Sequence, residues 1–94
     1  EIYCLTYADG YWAVGGAYYD GNSDTFFARI AYTESLNGIW TIQDIWNGEN
    51  TGREKVNCVI FADGYWVFGG RHSTTGDIAR IIYAPKLDGC GAIQ

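Results

Sequence analysis

Six of the seven aspartates, two repeated arginines and one histidine are the groups on which this chain could base chemistry. Asp9, Asp20, Asp24, Asp63, Asp77 and Asp88 are spread along it, Arg29 and Arg80 sit in the similar phrases "ARIAY" and "ARIIY", and His72 is the single imidazole. A glycoside hydrolase needs two carboxyl groups facing each other across a pocket. Here nearly every aspartate falls in a turn sequence, so no catalytic pair stands out. Asp9 and Asp63, both in "ADG", read as turn residues whose side chains satisfy nearby backbone N–H groups. His72 has no cysteine neighbour and no Ser-His-Asp pattern around it, which argues against a nucleophilic triad. Cys4, Cys58 and Cys90 are widely spaced, with no CxxC pair. That spacing fits neither a zinc site nor a disulfide framework, and Cys4 and Cys58 read as small buried hydrophobes. The expectation is a non-enzymatic chain with no metal and no cofactor.

Binding is the more natural role. Two polar segments, "AYYDGNSD" and "RHSTTGD", read as loops and supply the ligand-binding candidates Tyr18, Tyr19, Asp20, Asp24, Arg71 and His72. Aromatic rings suit the apolar face of a sugar and carboxylates suit its hydroxyls, and loops on a repeated scaffold are where such residues are mounted. The plainer alternative is a solvated loop. For Arg29 and Arg80 the plain reading is a packed stem with the guanidinium paired to a carboxylate or carbonyl of the neighbouring repeat. The sharper one is a ring of arginines receiving an anionic ligand. Six Lys and Arg against eleven Asp and Glu leave a net charge of −5, with the basic residues scattered, so nucleic acid and anionic membranes are not expected partners. No apolar run approaches the ~20 residues of a membrane-spanning helix.

These residues are held by a repeat. "CLTYADGYWAVGG" from Cys4 matches "CVIFADGYWVFGG" from Cys58, a period of 54 residues in a chain of 94. After a three-residue shortening in the second copy the match resumes at 28–32 against 79–83 and continues through "SLNG" and "KLDG". Each copy predicts four short strands and no helix. "IYCLTY" turns through "ADG" into "YWAVGG", with Gly10 and Gly64 at the positive-φ position of a type I turn with a bulge. "FFARIAYT" then turns through "SLNG" into "IWTIQDIW". The second copy stops before its counterpart of "DIW" and of the polar linker "NGENTGREK".

An all-β, four-stranded antiparallel meander, repeated with glycine and aromatic landmarks, describes a β-propeller blade. The chain then divides into blade one with its linker, 1–54, and blade two, 55–94, truncated in its fourth strand. Asp9, Gly10, Trp12, Arg29 and their counterparts Asp63, Gly64, Trp66 and Arg80 become structural repeat positions. The tryptophans would pack between blades, and the paired glycines would allow close approach.

The run from "YADGYWAVGG" to "SLNGIWTIQDIW" resembles the blade repeats of uncharacterised propeller proteins of Firmicutes and their phages. More distantly it is similar to sialidase-type (BNR, or Asp-box) propellers. The Asp-box reads Ser, any, Asp, any, Gly, any, Thr, Trp on the hairpin between the third and fourth strands. Here Ser35, Asn37, Gly38 and Trp40 fall in that hairpin at shorter spacing, and Lys86, Asp88, Gly89 and Gly91 replace them in the second copy. The resemblance implies a blade and a folding role for the box, not sialidase activity. It points to a non-catalytic module that binds a carbohydrate or protein partner, at the cell surface, outside the cell or on a phage particle. A structural or oligomerisation unit, or a degenerate sialidase-like hydrolase, are the alternatives. Two blades cannot close a ring, so the partner is expected to be further copies of the chain or neighbouring blades of a longer one. The start at Glu1 rather than Met fits a processed product or a fragment.

Overall fold

Two Asp-Gly pairs set the hairpins from which the fold grows. Asp9 and Asp63 have φ of 52° and 55°, and Gly10 and Gly64 have φ of 82° and 78°. Ala8 pairs with Tyr11 and Ala62 with Tyr65, leaving two-residue loops. Positive φ at both central residues is the type I′ turn, whose twist matches that of the flanking strands. The expected type I turn with a bulge is therefore replaced by a tighter one. Asp is among the few non-glycine residues that tolerate this region, which is the physical reason for its place here.

The computed structural model describes residues 1–22, 25–45, 54–73 and 77–91. Strands β1 (Ile2–Ala8), β2 (Tyr11–Asp20), β3 (Thr25–Thr33) and β4 (Thr41–Ile45) form one antiparallel sheet in that order. Strands β5 (Lys55–Ala62), β6 (Tyr65–Ser73) and β7 (Asp77–Ala84) form a second, followed by a 3-10 turn at Leu87–Gly91. The chain is all-β, and no helix among the described residues is long and apolar enough to cross a membrane. The truncated fourth strand expected of the second copy, 90–94, is not a strand at Cys90 and Gly91, which close the 3-10 turn, and its other residues lie outside the described ones.

Each sheet carries the same irregularity. The pairing register shifts between Ile2 and Cys4 and again between Val56 and Cys58, which puts Tyr3 and Asn57 in β-bulges. A bulge breaks the period-2 alternation, so residues on its two sides need not follow the usual count. Ile2 lies opposite Gly16 and Val56 opposite Gly70, on the Trp12 and Trp66 faces, whereas Cys4 and Cys58 lie opposite Gly15 and Gly69 on the other faces.

The sheets stack through unlike faces. The second sheet contributes its Trp66 face, with Val56, Phe68, Ile82 and Ala84, and the first contributes Ala13, Ala28, Ile30, Tyr32 and Ile45; Leu87 of the 3-10 turn completes the core. Trp66 and Phe68 are buried, whereas Trp12, expected like Trp66 to pack between repeats, is only half-buried. Full burial of side chains of this kind is worth roughly 1.5–3 kcal/mol each. Gly15 makes the close approach possible, because a Cβ there would lie 2.5 Å from Val56 Cγ1 and 2.9 Å from Cys4 Sγ. Polar links flank the core: Gln43 Nε2 donates to the Leu87 carbonyl at 3.1 Å, and the Glu54 N–H to the Phe26 carbonyl at 3.3 Å.

Gly15→Ala should lower stability by about 1–3 kcal/mol through overpacking, and Val56→Ala should partly rescue it in the double variant, as read by urea denaturation. Gly10→Ala meets nothing within 4 Å. Its cost comes from backbone conformation alone and should be unaffected by Val56→Ala.

Candidate functional site

Extension of β2 through Asp20 changes the character of the first expected binding segment. Residues 17–20 belong to a strand, not a loop, and Tyr18 pairs with Phe27 while Tyr19 pairs with Phe26. Consecutive strand residues point to opposite faces of a sheet. Tyr18 and Tyr19 therefore stand on different sides, each against its own phenylalanine, at centroid distances of 6.4 and 5.0 Å. A single sugar cannot stack on both. Asp20 is spent locally, its Oδ1 accepting the Asn22 N–H at 3.0 Å in an Asx-type turn. Asp24 lies outside the described residues. In the second segment Arg71, His72 and Ser73 belong to β6, again correcting a loop to a strand, and the His72 side chain lies outside the described residues.

Arg29 is bound within its own sheet. Its Nε donates to Asp44 Oδ1 at 2.7 Å and its Nη2 to Oδ2 at 3.2 Å, a forked pair that the β3–β4 register sets up by placing Arg29 opposite Asp44. The guanidinium also lies 4.0 Å from the Tyr18 ring centre. The hydrogen bond to Asp44 is the main cause that holds the Arg29 pKa above its ordinary value. The partner is thus a carboxylate of the same repeat, not of the neighbouring one. Arg80 occupies the matching register opposite Gly70. Tyr18 and Arg29 border a cavity of about 220 Å³ with an apolar floor of Val14, Ala31 and Ile42.

A second cavity, of about 160 Å³, gathers charges between the sheets: Glu1, Glu54, Lys55 and Arg71, beside Tyr3. The Tyr3 hydroxyl donates to Glu1 Oε1 at 3.0 Å, and that bond raises the phenol's pKa. Glu54, expected to be part of a polar linker, is buried. No sequence signal marked it, because its burial depends on how β5 crosses the first sheet.

The largest of the three cavities, about 400 Å³, opens where the Asp9–Gly10 turn of one sheet meets the 3-10 turn of the other. Tyr11, Tyr32 and Trp66 supply aromatic surface, Leu87 adds apolar surface, and Asp9, Lys86 and Asp88 supply charge. Tyr11 and Tyr32 meet edge to face at 6.2 Å, which fixes both rings. The sequence carried a hint of this site, since Tyr65 and Tyr83 repeat the pair at 5.9 Å.

The hairpin at Ser35–Trp40 is held by its own local bonds. Ser35 Oγ donates to Asn37 Oδ1 at 2.7 Å, the Gly38 N–H to the Ser35 carbonyl at 2.9 Å, and Trp40 Nε1 to the Leu36 carbonyl at 3.3 Å. The second copy keeps the turn bond, from the Gly89 N–H to the Lys86 carbonyl at 3.0 Å. Among the described residues no group of three or more His, Cys, Asp or Glu could hold a metal ion. Cys4 is half-buried, and its thiol donates to the Gly15 carbonyl at 3.6 Å. Cys58 makes the same contact with Gly69 at 3.7 Å but is exposed, contrary to the expected buried pair. No protein-family model, curated protein or solved structure matches the chain.

Two predictions concern these groups. Arg29 and Asp44 keep about a third of their side-chain surface in water, 33% and 31%, so Asp44→Asn should cost only about 0.2–1 kcal/mol, and added salt should shrink that cost. Burial pushes the Cys4 thiol above its ordinary 9.0. In the window between 9.0 and the raised value the unfolded chain has lost the proton that the folded chain retains, so stability falls as pH rises through it. Cys4→Ala should flatten that part of the stability–pH curve relative to the parent chain.

Proposed function

We propose that the chain is a non-catalytic β-propeller repeat module, each sheet one blade, that binds a carbohydrate in the aromatic cleft between them. The cleft of about 400 Å³ walled by Tyr11, Tyr32 and Trp66, with Asp9, Lys86 and Asp88 alongside, is the observation that carries the reading. Rings offer a flat apolar surface to the C–H face of a sugar, while carboxylates and an ammonium bond to its hydroxyls. The blade reading draws support from the stacking of two sheets of like sequence in the same sense, through unlike faces. Such a module suits a cell surface, the extracellular medium or a phage particle. The cleft replaces the segment around Tyr18 and Tyr19 as the favoured site, since those rings face apart and Arg29 occupies the Tyr18 ring.

Calorimetric titration of neutral and sialylated oligosaccharides tests this. At least one should bind, and Tyr11→Ala and Asp88→Ala should each weaken it about tenfold, a loss of roughly 1.4 kcal/mol, while Tyr18→Ala leaves it unchanged. A panel that gives no heat at any sugar would rule out the carbohydrate reading. Asp9 and Asp88 line one cleft, so fluorogenic glycosides belong in the same experiment. Turnover abolished by Asp88→Asn would show a hydrolase.

A further inference from the structure

We infer that a second copy of this chain docks head to tail, its Ile2 and Trp12 face seated on this copy's Ile60, Ile81 and Tyr83 face. This contact would reproduce the one that the two repeats already make within a single chain. The inference rests on the reading of each sheet as one repeat of a stacking array; it does not depend on carbohydrate binding.

The internal interface shows what each face accepts. In the first sheet the face bearing Ile30 and Tyr32 is covered by the second sheet, and these residues are 0% and 9% exposed. Their counterparts Ile81 and Tyr83 lie on the same face of the second sheet and are exposed, at 67% and 55%. The opposite faces behave reciprocally. Val56 on the Trp66 face is 0% exposed, whereas its counterpart Ile2 on the Trp12 face is 71% exposed. Leu5 and Tyr7 are likewise exposed where Val59 and Phe61 pack against the core. The described residues thus present two apolar faces that are the two halves of a contact already made between the sheets.

Backbone detail extends the match. Val56 enters the first sheet over Gly15, where a Cβ would meet it at 2.5 Å and Cys4 Sγ at 2.9 Å. At Gly69 a Cβ would meet Cys58 Sγ at the same 2.9 Å, and the next atom is the Arg80 carbonyl oxygen at 4.0 Å. The hollow is repeated, and among the described residues its occupant is not. Ile2, carried on the Trp12 face by the same bulge that carries Val56, is the residue placed to enter it from another copy. The aromatic pairs repeat as well, Tyr7–Trp12 at 4.8 Å and Phe61–Trp66 at 5.1 Å, so the entering surface has the same relief. Because the two faces differ, the contact is heterologous. It extends until it closes into a ring or continues as a filament, and exposed apolar area of this extent is uncommon on a monomer.

Sedimentation velocity over a wide range of concentration tests the inference with three proteins: the parent chain, Ile2→Glu and Ile81→Glu. Both substitutions fall at exposed positions, and far-UV circular dichroism confirms that the sheets persist. The parent chain should assemble beyond the monomer, and each variant alone should stop at the monomer. A mixture of the two should form a one-to-one dimer and nothing larger, since each supplies the intact face that the other lacks. In the parent assembly Cys58 should be alkylated as slowly as Cys4, and in either variant alone it should react faster. A parent chain that stays monomeric at every concentration would overturn the inference, as would assembly abolished by only one of the two variants. Sugar titration of the monomeric variants reads the internal cleft separately. Binding without assembly would count against the docking alone, and assembly without binding against the carbohydrate reading alone.

Discussion

Seating Val56 in the hollow over Gly15 is the contact on which the arrangement of the two sheets depends. It needs a glycine on one sheet, a β-branched residue on the other and a bulge that turns that residue toward its partner. With these in place the Trp66 face comes down on Ala13, Ile30 and Tyr32. Interiors are packed at crystal-like density, so a glycine that admits one methyl group can set the register of a whole interface.

That packing also creates the cleft. Stacking brings the 3-10 turn of the second sheet beside the first hairpin turn, and the gap left at the rim is walled by rings whose other edges belong to the core. Trp66 is therefore shared between stability and the site. Tyr18, Arg29 and Asp44, by contrast, satisfy one another on the far face of the first sheet. The chain has placed its most conspicuous charged and aromatic neighbours where they stabilise a sheet surface.

The asymmetry of each sheet matters as much as its sequence. A meander has two faces, and here the tryptophan-bearing face of one repeat fits the face of the other that carries Ile30 and Tyr32. Two repeats satisfy one such contact and leave one copy of each half exposed. Apolar burial, nondirectional in itself, acquires direction because the bulges at Tyr3 and Asn57 put Ile2 and Val56 on one face and the cysteines on the other.

The strands, hairpins and repeat were legible in the sequence because each follows from local physics: β-branched and aromatic runs, Asp-Gly turns, and a phrase spelled twice. The repeat treats Trp12 and Trp66 alike, although Trp66 is buried and Trp12 only half-buried. The turn is type I′ because Asp, one of the few non-glycine residues that tolerate positive φ, adopts it beside Gly, and two polar segments read as loops because polar strand ends look like loops. No sequence signal could place Glu54 inside or bring Trp66 and Asp88 to the Tyr11–Tyr32 pair. Those outcomes depend on which face of one sheet meets which face of the other, and that is decided by packing between residues distant along the chain.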